Sequence, residues 1–136
     1  MHIQNISALD VTTANHVEPG ANAVLIQIMD ICPYHWPTPA HNFAEVHQFE
    51  FLDIESDDPG FDEECMISHE QASHLVAILR NALANNANVV VHCNRGISRS
   101  GAVAAIGVMM GFDDAGGRRE PNQRVTQLML AALNSA

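Results

Sequence analysis

Apolar positions along the chain follow two rhythms: short β-branched runs, and longer stretches at helical spacing. Four runs read as strands. Residues 3–6 form a short candidate edge strand, 23–29 and 88–91 are continuously apolar and therefore buried, and 46–54 is the fourth. Between them lie helical patterns. Ser7 is placed to cap a brief helix over 8–14. Ser68, His69, Glu70 and Gln71 form the Ser-x-x-Gln signature of a capping box. The helix it opens carries Ala72, Leu75, Val76, Leu79 and Leu83 on one face and ends at Asn85 and Asn86. Residues 102–110 are apolar all round, which predicts a buried helix, and a last helix is expected over 121–133. Cys32 to Pro39 is too rich in proline for either element, and Pro59 with Gly60 turns an acidic loop over 57–64.

Strands alternating with helices predict an α/β fold: a central, mostly parallel sheet with helices on both faces. Ligands of such sheets bind at the carboxyl ends of the strands. At 136 residues the chain is expected to be one domain, 1–136, and 47% hydrophobic residues with only 5% aromatics suit a compact core. Net charge is −10, and all six cations are arginines. That balance argues against nucleic acid and against anionic membranes as partners. No run approaches membrane-spanning length, and the first residues lack a basic start with an apolar core, so a cytoplasmic location is expected.

The chemistry concentrates in His92-Cys93-Asn94-Arg95-Gly96-Ile97-Ser98-Arg99-Ser100-Gly101, between a strand and a helix. A loop of converging amides at a helix start binds anions, and the helix dipole adds positive potential. Cys93 at the strand end would be a thiolate nucleophile, since such surroundings lower a thiol's pKa. Arg99 supplies a planar fork for two phosphate oxygens, which a lysine cannot match. The Ser100 hydroxyl is near enough to stabilise the sulfur. The amides of Asn94, Arg95, Gly96, Ile97, Ser98 and Arg99 form the expected substrate-binding set. His92 is expected to point away and fix the loop by bonding to backbone.

This loop resembles the signature of the cysteine-dependent protein tyrosine phosphatases: His-Cys, five residues, then Arg-Ser/Thr. Its Gly-Ile-Ser-Arg-Ser form is most similar to the small dual-specificity branch. The likeness runs over 49–133. Phe51, Leu52, Asp53 and Ile54 look like the strand before the family's acid loop, and Pro121 with Asn122 like the opening of its last helix. Compact bacterial and phage tyrosine-phosphatase-like proteins pair the same features. The resemblance implies a phosphocysteine mechanism on phosphorylated proteins or peptides, without cofactor or metal, and an aspartic acid that protonates the leaving oxygen. Matching the strand puts Asp58 at that acid position, with Asp53 and then Asp57 as alternatives. Between Arg99 and Pro121 there is room for one long helix, so the chain would be a trimmed version of the larger domains.

Rival readings are a rhodanese-like sulfurtransferase and a phosphate-binding module without catalysis. The Arg99-Ser100 pair argues against the first, and a complete set of loop residues against the second. Eight histidines raise the possibility of a metal, yet His69 and His74 stand on different helix faces and no His-x-x-x-His or Cys-x-x-Cys pair exists. Cys32 and Cys65 read as small core residues, with capture of an oxidised Cys93 as the alternative. Tyr34, His35 and Trp36 would either wall the cleft or plug the sheet edge.

Overall fold

A computed structural model describes residues 1–55 and 63–135. Its elements are β1 (His2–Ser7), α1 (Ala8–Thr13), β2 (Val24–Met29), β3 (Glu45–Glu50), α2 (His69–Ala84), β4 (Val89–Cys93), α3 (Arg99–Met110), β5 (Asp113–Asp114) and α4 (Gln123–Asn134), with one 3-10 turn at Glu63–Cys65. The strands form a single sheet in the order β3-β2-β4-β1-β5, every pairing parallel. The α/β architecture expected from the pattern is therefore the one present.

The buried strands β2 and β4 stand next to each other, Val24 beside Val89 and Ile26 beside Val91. Side chains alternate between the two sheet faces. Ile3, Ile26, Ile28, Val89 and Val91 join Leu75, Leu79, Val103, Ile106, Val125 and Met129 in the main core, under α2, α3 and α4. The opposite face carries a small cluster of Ile6, Val11, Leu25 and Val90, with Phe43 packed on it. Helices thus cover both faces unequally, three against the short α1. Ser68 caps α2 with the complete capping box: its Oγ accepts from Gln71 N, and Gln71 Oε1 accepts from Ser68 N.

Four sequence expectations need correcting. The 3–6 strand is not an edge, because β5 pairs outside it, His2 beside Asp113 and Ile3 beside Asp114. Two aspartates carry no strand signal, and Asp113 N to Met1 O (3.0 Å) with Ala115 N to Ile3 O (3.0 Å) pair β5 to β1 through backbone. The strand expected over 46–54 stops at Glu50. Phe51 N still bonds Met29 O (3.1 Å), but Leu52 N turns to Cys65 O (2.7 Å) and Ile54 N to Leu52 O (3.0 Å), so Asp53 lies beyond the strand. The last helix begins at Gln123 because Asn122, in extended backbone, caps it through Oδ1 to Val125 N (3.0 Å). Cys32 is exposed, with a left-handed backbone (φ 52°), and is not a core residue; Cys65 is half-buried.

Candidate active site

The parallel register brings the carboxyl ends of β1, β2, β3 and β4 to one side, with Ser7 directly beside Cys93. Cys93 closes β4 and is 2% exposed. From there the chain rises as a loop, four of whose carbonyls are engaged by the scaffold around it. Asn94 O accepts from Ala8 N (3.2 Å), Gly96 O from Asn5 Nδ2 (2.8 Å), Ile97 O from Glu120 N (3.1 Å) and Ser98 O from Asn122 N (3.0 Å). In a trans peptide the N–H points opposite to the C=O, so these bonds turn the amides of Arg95, Ile97, Ser98 and Arg99 inward. Gly96 sits at φ +74° against the backbone of Ile6 and Ser7, where a Cβ has no space. The close approach of loop to β1 requires that glycine.

Inside the loop, Cys93 Sγ lies 3.2 Å from Ser100 Oγ. Burial pushes the thiol up. The Ser100 hydroxyl and amide, the Arg99 charge and the Gly96 amide outweigh it and leave Cys93 below its ordinary value. Arg99, 5% exposed, donates from Nη1 to Asp30 Oδ1 (2.8 Å) and to Phe51 O (2.8 Å). Its Nε is buried without a partner among the described residues. A buried donor left open costs free energy unless something accepts from it, and Arg99 is among the residues that line the Cys93 cleft. The guanidinium is therefore clamped on one edge and has an open donor for an anion.

The cleft encloses about 300 Å³ and is lined by Asp53, Glu55, Cys93, Asn94, Arg95, Ile97, Ser98, Arg99 and Glu120. Of the expected site residues, the structure brings Cys93, Arg99, Ser100, the loop and Asp53 together. Asp53 Oδ1 accepts from Ser98 Oγ (2.8 Å) and Asn122 Nδ2 (2.7 Å), which ties the loop to the start of α4. The Ser98 hydroxyl, spent on Asp53, makes no cap bond to α3, and the Ser100 amide of its first turn serves Cys93 instead. Asp57 and Asp58 lie outside the described residues. Tyr34 is fully exposed, and none of Tyr34, His35 and Trp36 lines the cleft.

His92 faces the α1 side, fully buried, with Nδ1 donating to Cys93 O (3.3 Å) and Nε2 unpartnered among the described residues. Burial pushes its pKa down to about 4, so it is a neutral imidazole bonded to backbone, as expected. Six residues escaped the sequence reading as site members: Asn5, Asp30, Glu55, Arg119, Glu120 and Asn122. Asn5, 2% exposed, also receives Arg119 Nε on Oδ1 (2.8 Å), and Arg119 forks onto Asp114 (2.7 and 2.8 Å). The only sequence signal for Asn5 is a polar residue on the inward face of β1, two positions after Ile3. A larger hollow of about 560 Å³ lies between β3 and the start of α2, lined by Glu50, Glu64, Glu70 and His74 among others. Its lining holds no thiol and no arginine, whereas the smaller cleft has both. No three His, Cys, Asp or Glu side chains cluster as a metal site among the described residues, and no helix there is long and apolar enough to cross a membrane.

A strand-end cysteine under a cradle of amides, with a clamped arginine beside it, is the arrangement of a cysteine-based phosphatase. The family model for protein-tyrosine phosphatases matches residues 62–129, half of the chain, and the chain belongs to that family. Among solved structures it is similar to human DUSP28 (16% identity, 98% of this chain and 95% of that one, TM-score 0.59). It is also similar to Tk-PTP in its active form (14%, 100% and 94%, 0.57). A third is the human tyrosine phosphatase-like serine/threonine/tyrosine-interacting protein (16%, 85% and 80%, 0.56). At these identities the likeness is one of fold. A search of curated proteins found no match.

Proposed function

We propose that residues 1–136 act as one phosphatase unit, hydrolysing phosphotyrosine monoesters of proteins or peptides through a phosphocysteine on Cys93. The carrying observation is the Cys93 thiol, held below its ordinary pKa by Ser100, Arg99 and loop amides, next to an arginine with one open buried donor. The thiolate attacks phosphorus as the ester P–O bond breaks, and the departing phenolate takes a proton from an aspartic acid. Asp58 fills that role by resemblance, while Asp53 joins the loop to α4. Inward amides and Arg99 hold the equatorial oxygens and bind them tightest in the transition state. Water then attacks phosphorus, the same carboxylate takes its proton, and the S–P bond breaks to release inorganic phosphate and the thiolate. Phosphoserine and phosphothreonine are poorer leaving groups and follow as slower substrates.

Binding without turnover is the second reading, favoured by the likeness to a phosphatase-like interacting protein. Against it stands the complete set of Cys93, Arg99 and Ser100. Sulfur transfer has no support from the family match. The test is phosphate release from para-nitrophenyl phosphate and a phosphotyrosine peptide. Turnover should persist in chelator and fall by roughly four orders of magnitude or more in Cys93→Ser. Near-wild-type activity in that variant would place the nucleophile elsewhere, and tight vanadate binding without any turnover would favour the second reading.

A further inference from the structure

The rim of the Cys93 cleft carries an unusual charge for a phosphate site. Its lining holds three carboxylates, Asp53, Glu55 and Glu120, against two guanidiniums, Arg95 and Arg99. Arg99 is already paired with Asp30 at 2.8 Å, so its net field outside the loop is small. The chain has no lysine and a net charge of −10, so no distant positive field compensates. A phosphate there would be served at short range by loop amides and by Arg99, which lines the cleft and has a buried Nε without a partner among the described residues. Just outside the phosphate, three carboxylates outnumber one exposed guanidinium, Arg95.

Two of those carboxylates are fixed in place yet exposed. Glu55 Oε2 accepts from Gln123 N (3.0 Å) at the start of α4, and Glu120 is anchored by its own amide on Ile97 O (3.1 Å). Glu120 also meets Arg118 at 3.5 Å, with both side chains about two-thirds exposed (70% and 66%). A surface pair of that kind is weak and leaves the carboxylate able to take another cation.

We propose that the cleft selects phosphopeptides carrying arginine or lysine next to the phosphorylated residue, with Glu55 and Glu120 as the groups that determine this preference. The same rim repels substrates with further negative charge, such as acidic peptides, nucleotides and inositol polyphosphates. The proposal rests on the reading of the cleft as a phosphotyrosine site.

The experiment compares kcat/KM for matched phosphotyrosine peptides with Arg or with Glu on both sides of the phosphotyrosine. Two exposed ion pairs predict an Arg:Glu ratio of about tenfold. The ratio should shrink at high salt. In Glu55→Gln/Glu120→Gln, where each amide oxygen can still accept a hydrogen bond, the ratio should fall towards one. Taking the ratio within each protein cancels any change common to all substrates. A parallel arm measures binding of the same peptides to Cys93→Ser. A ratio of one, a preference for Glu, or a ratio that survives the double substitution overturns the proposal. An Arg preference in binding without turnover upholds it and removes the enzymatic reading instead. Neither binding nor turnover removes both.

Discussion

One wall of the cleft is the turn from β4 into α3, and the facing wall is the stretch from Asp53 to Glu55. In the first, the carbonyls of Asn94, Gly96, Ile97 and Ser98 are bonded to α1, β1 and the segment before α4, while Cys93, Arg99 and Ser100 are buried. In the second, Asp53 and Glu55 are exposed and are attached by side chains alone, to Ser98, Asn122 and the Gln123 amide. The rigid wall is preorganised to bind an anion in one geometry and to stabilise a thiolate. The other presents exposed carboxylates at the cleft mouth, on the stretch that runs on towards Asp58. A phosphatase needs both: fixed electrostatics where phosphorus reacts, and adjustable acids where different leaving groups arrive.

The comparison is most sharply broken by separating the acids. Asp58→Asn should lower turnover of a phosphotyrosine peptide by about 10²-fold or more, and turnover of an aryl phosphate with a very acidic phenol far less. The basic limb of its pH–rate profile should flatten. Asp53→Asn instead weakens the tie between loop and α4, and should depress both substrates alike while leaving the basic limb. If the leaving-group dependence follows Asp53, the acid sits on the wall described here. If it follows neither, protonation comes from outside this acidic stretch.

A test of the rigid wall is Ser100→Ala. The hydroxyl is one of the groups that lowers the Cys93 pKa, so its loss moves that pKa back towards the ordinary thiol range. The thiolate is the attacking form, and activity falls as pH drops through this pKa. The acid limb should therefore move to higher pH, with turnover near neutrality reduced about tenfold or more. An unmoved limb would show that amides and Arg99 alone stabilise the sulfur.

A further expectation concerns stability rather than turnover. His92 is held neutral by burial, with a folded pKa of about 4 against about 6.5 unfolded. A depressed folded pKa favours unfolding as pH falls: stability is full above the unfolded value and is lost down to the folded one. Between pH 7 and pH 4 His92 should contribute a loss of roughly 3 kcal/mol, absent in His92→Asn. Urea unfolding of both proteins at these pH values measures the difference. Parallel curves would mean that His92 is more hydrated than its burial implies.

What was legible in the sequence follows from how local each feature is. The Cys93 loop, its strand and its helix are contiguous, so residue types at fixed offsets carried the nucleophile, the arginine and the serine together. The capping box at Ser68 and the buried runs of β2 and β4 were equally local. Asn5, Asp30 and Asn122 reach the loop from 91, 69 and 24 residues away along the chain, through Asn5 to Gly96 O, Arg99 to Asp30 and the Asn122 amide to Ser98 O. No spacing rule in one sequence encodes such meetings. The strand at 46–54 ran long for a related reason: Leu52 leaves the ladder for Cys65, a partner visible only in the fold. The two-residue β5 has no hydrophobic pattern to read at all.

The central claim is that Cys93 carries the phosphoryl group between the two walls. Rapid mixing with a phosphotyrosine peptide labelled on phosphorus, denaturing quench and peptide mapping test it most directly. Labelled phosphate should appear on the peptide containing Cys93 within the first turnover, persist longer in Asp58→Asn, and be absent in Cys93→Ser. Phosphate released with no label on Cys93 at any time, or label on another residue, would contradict the account.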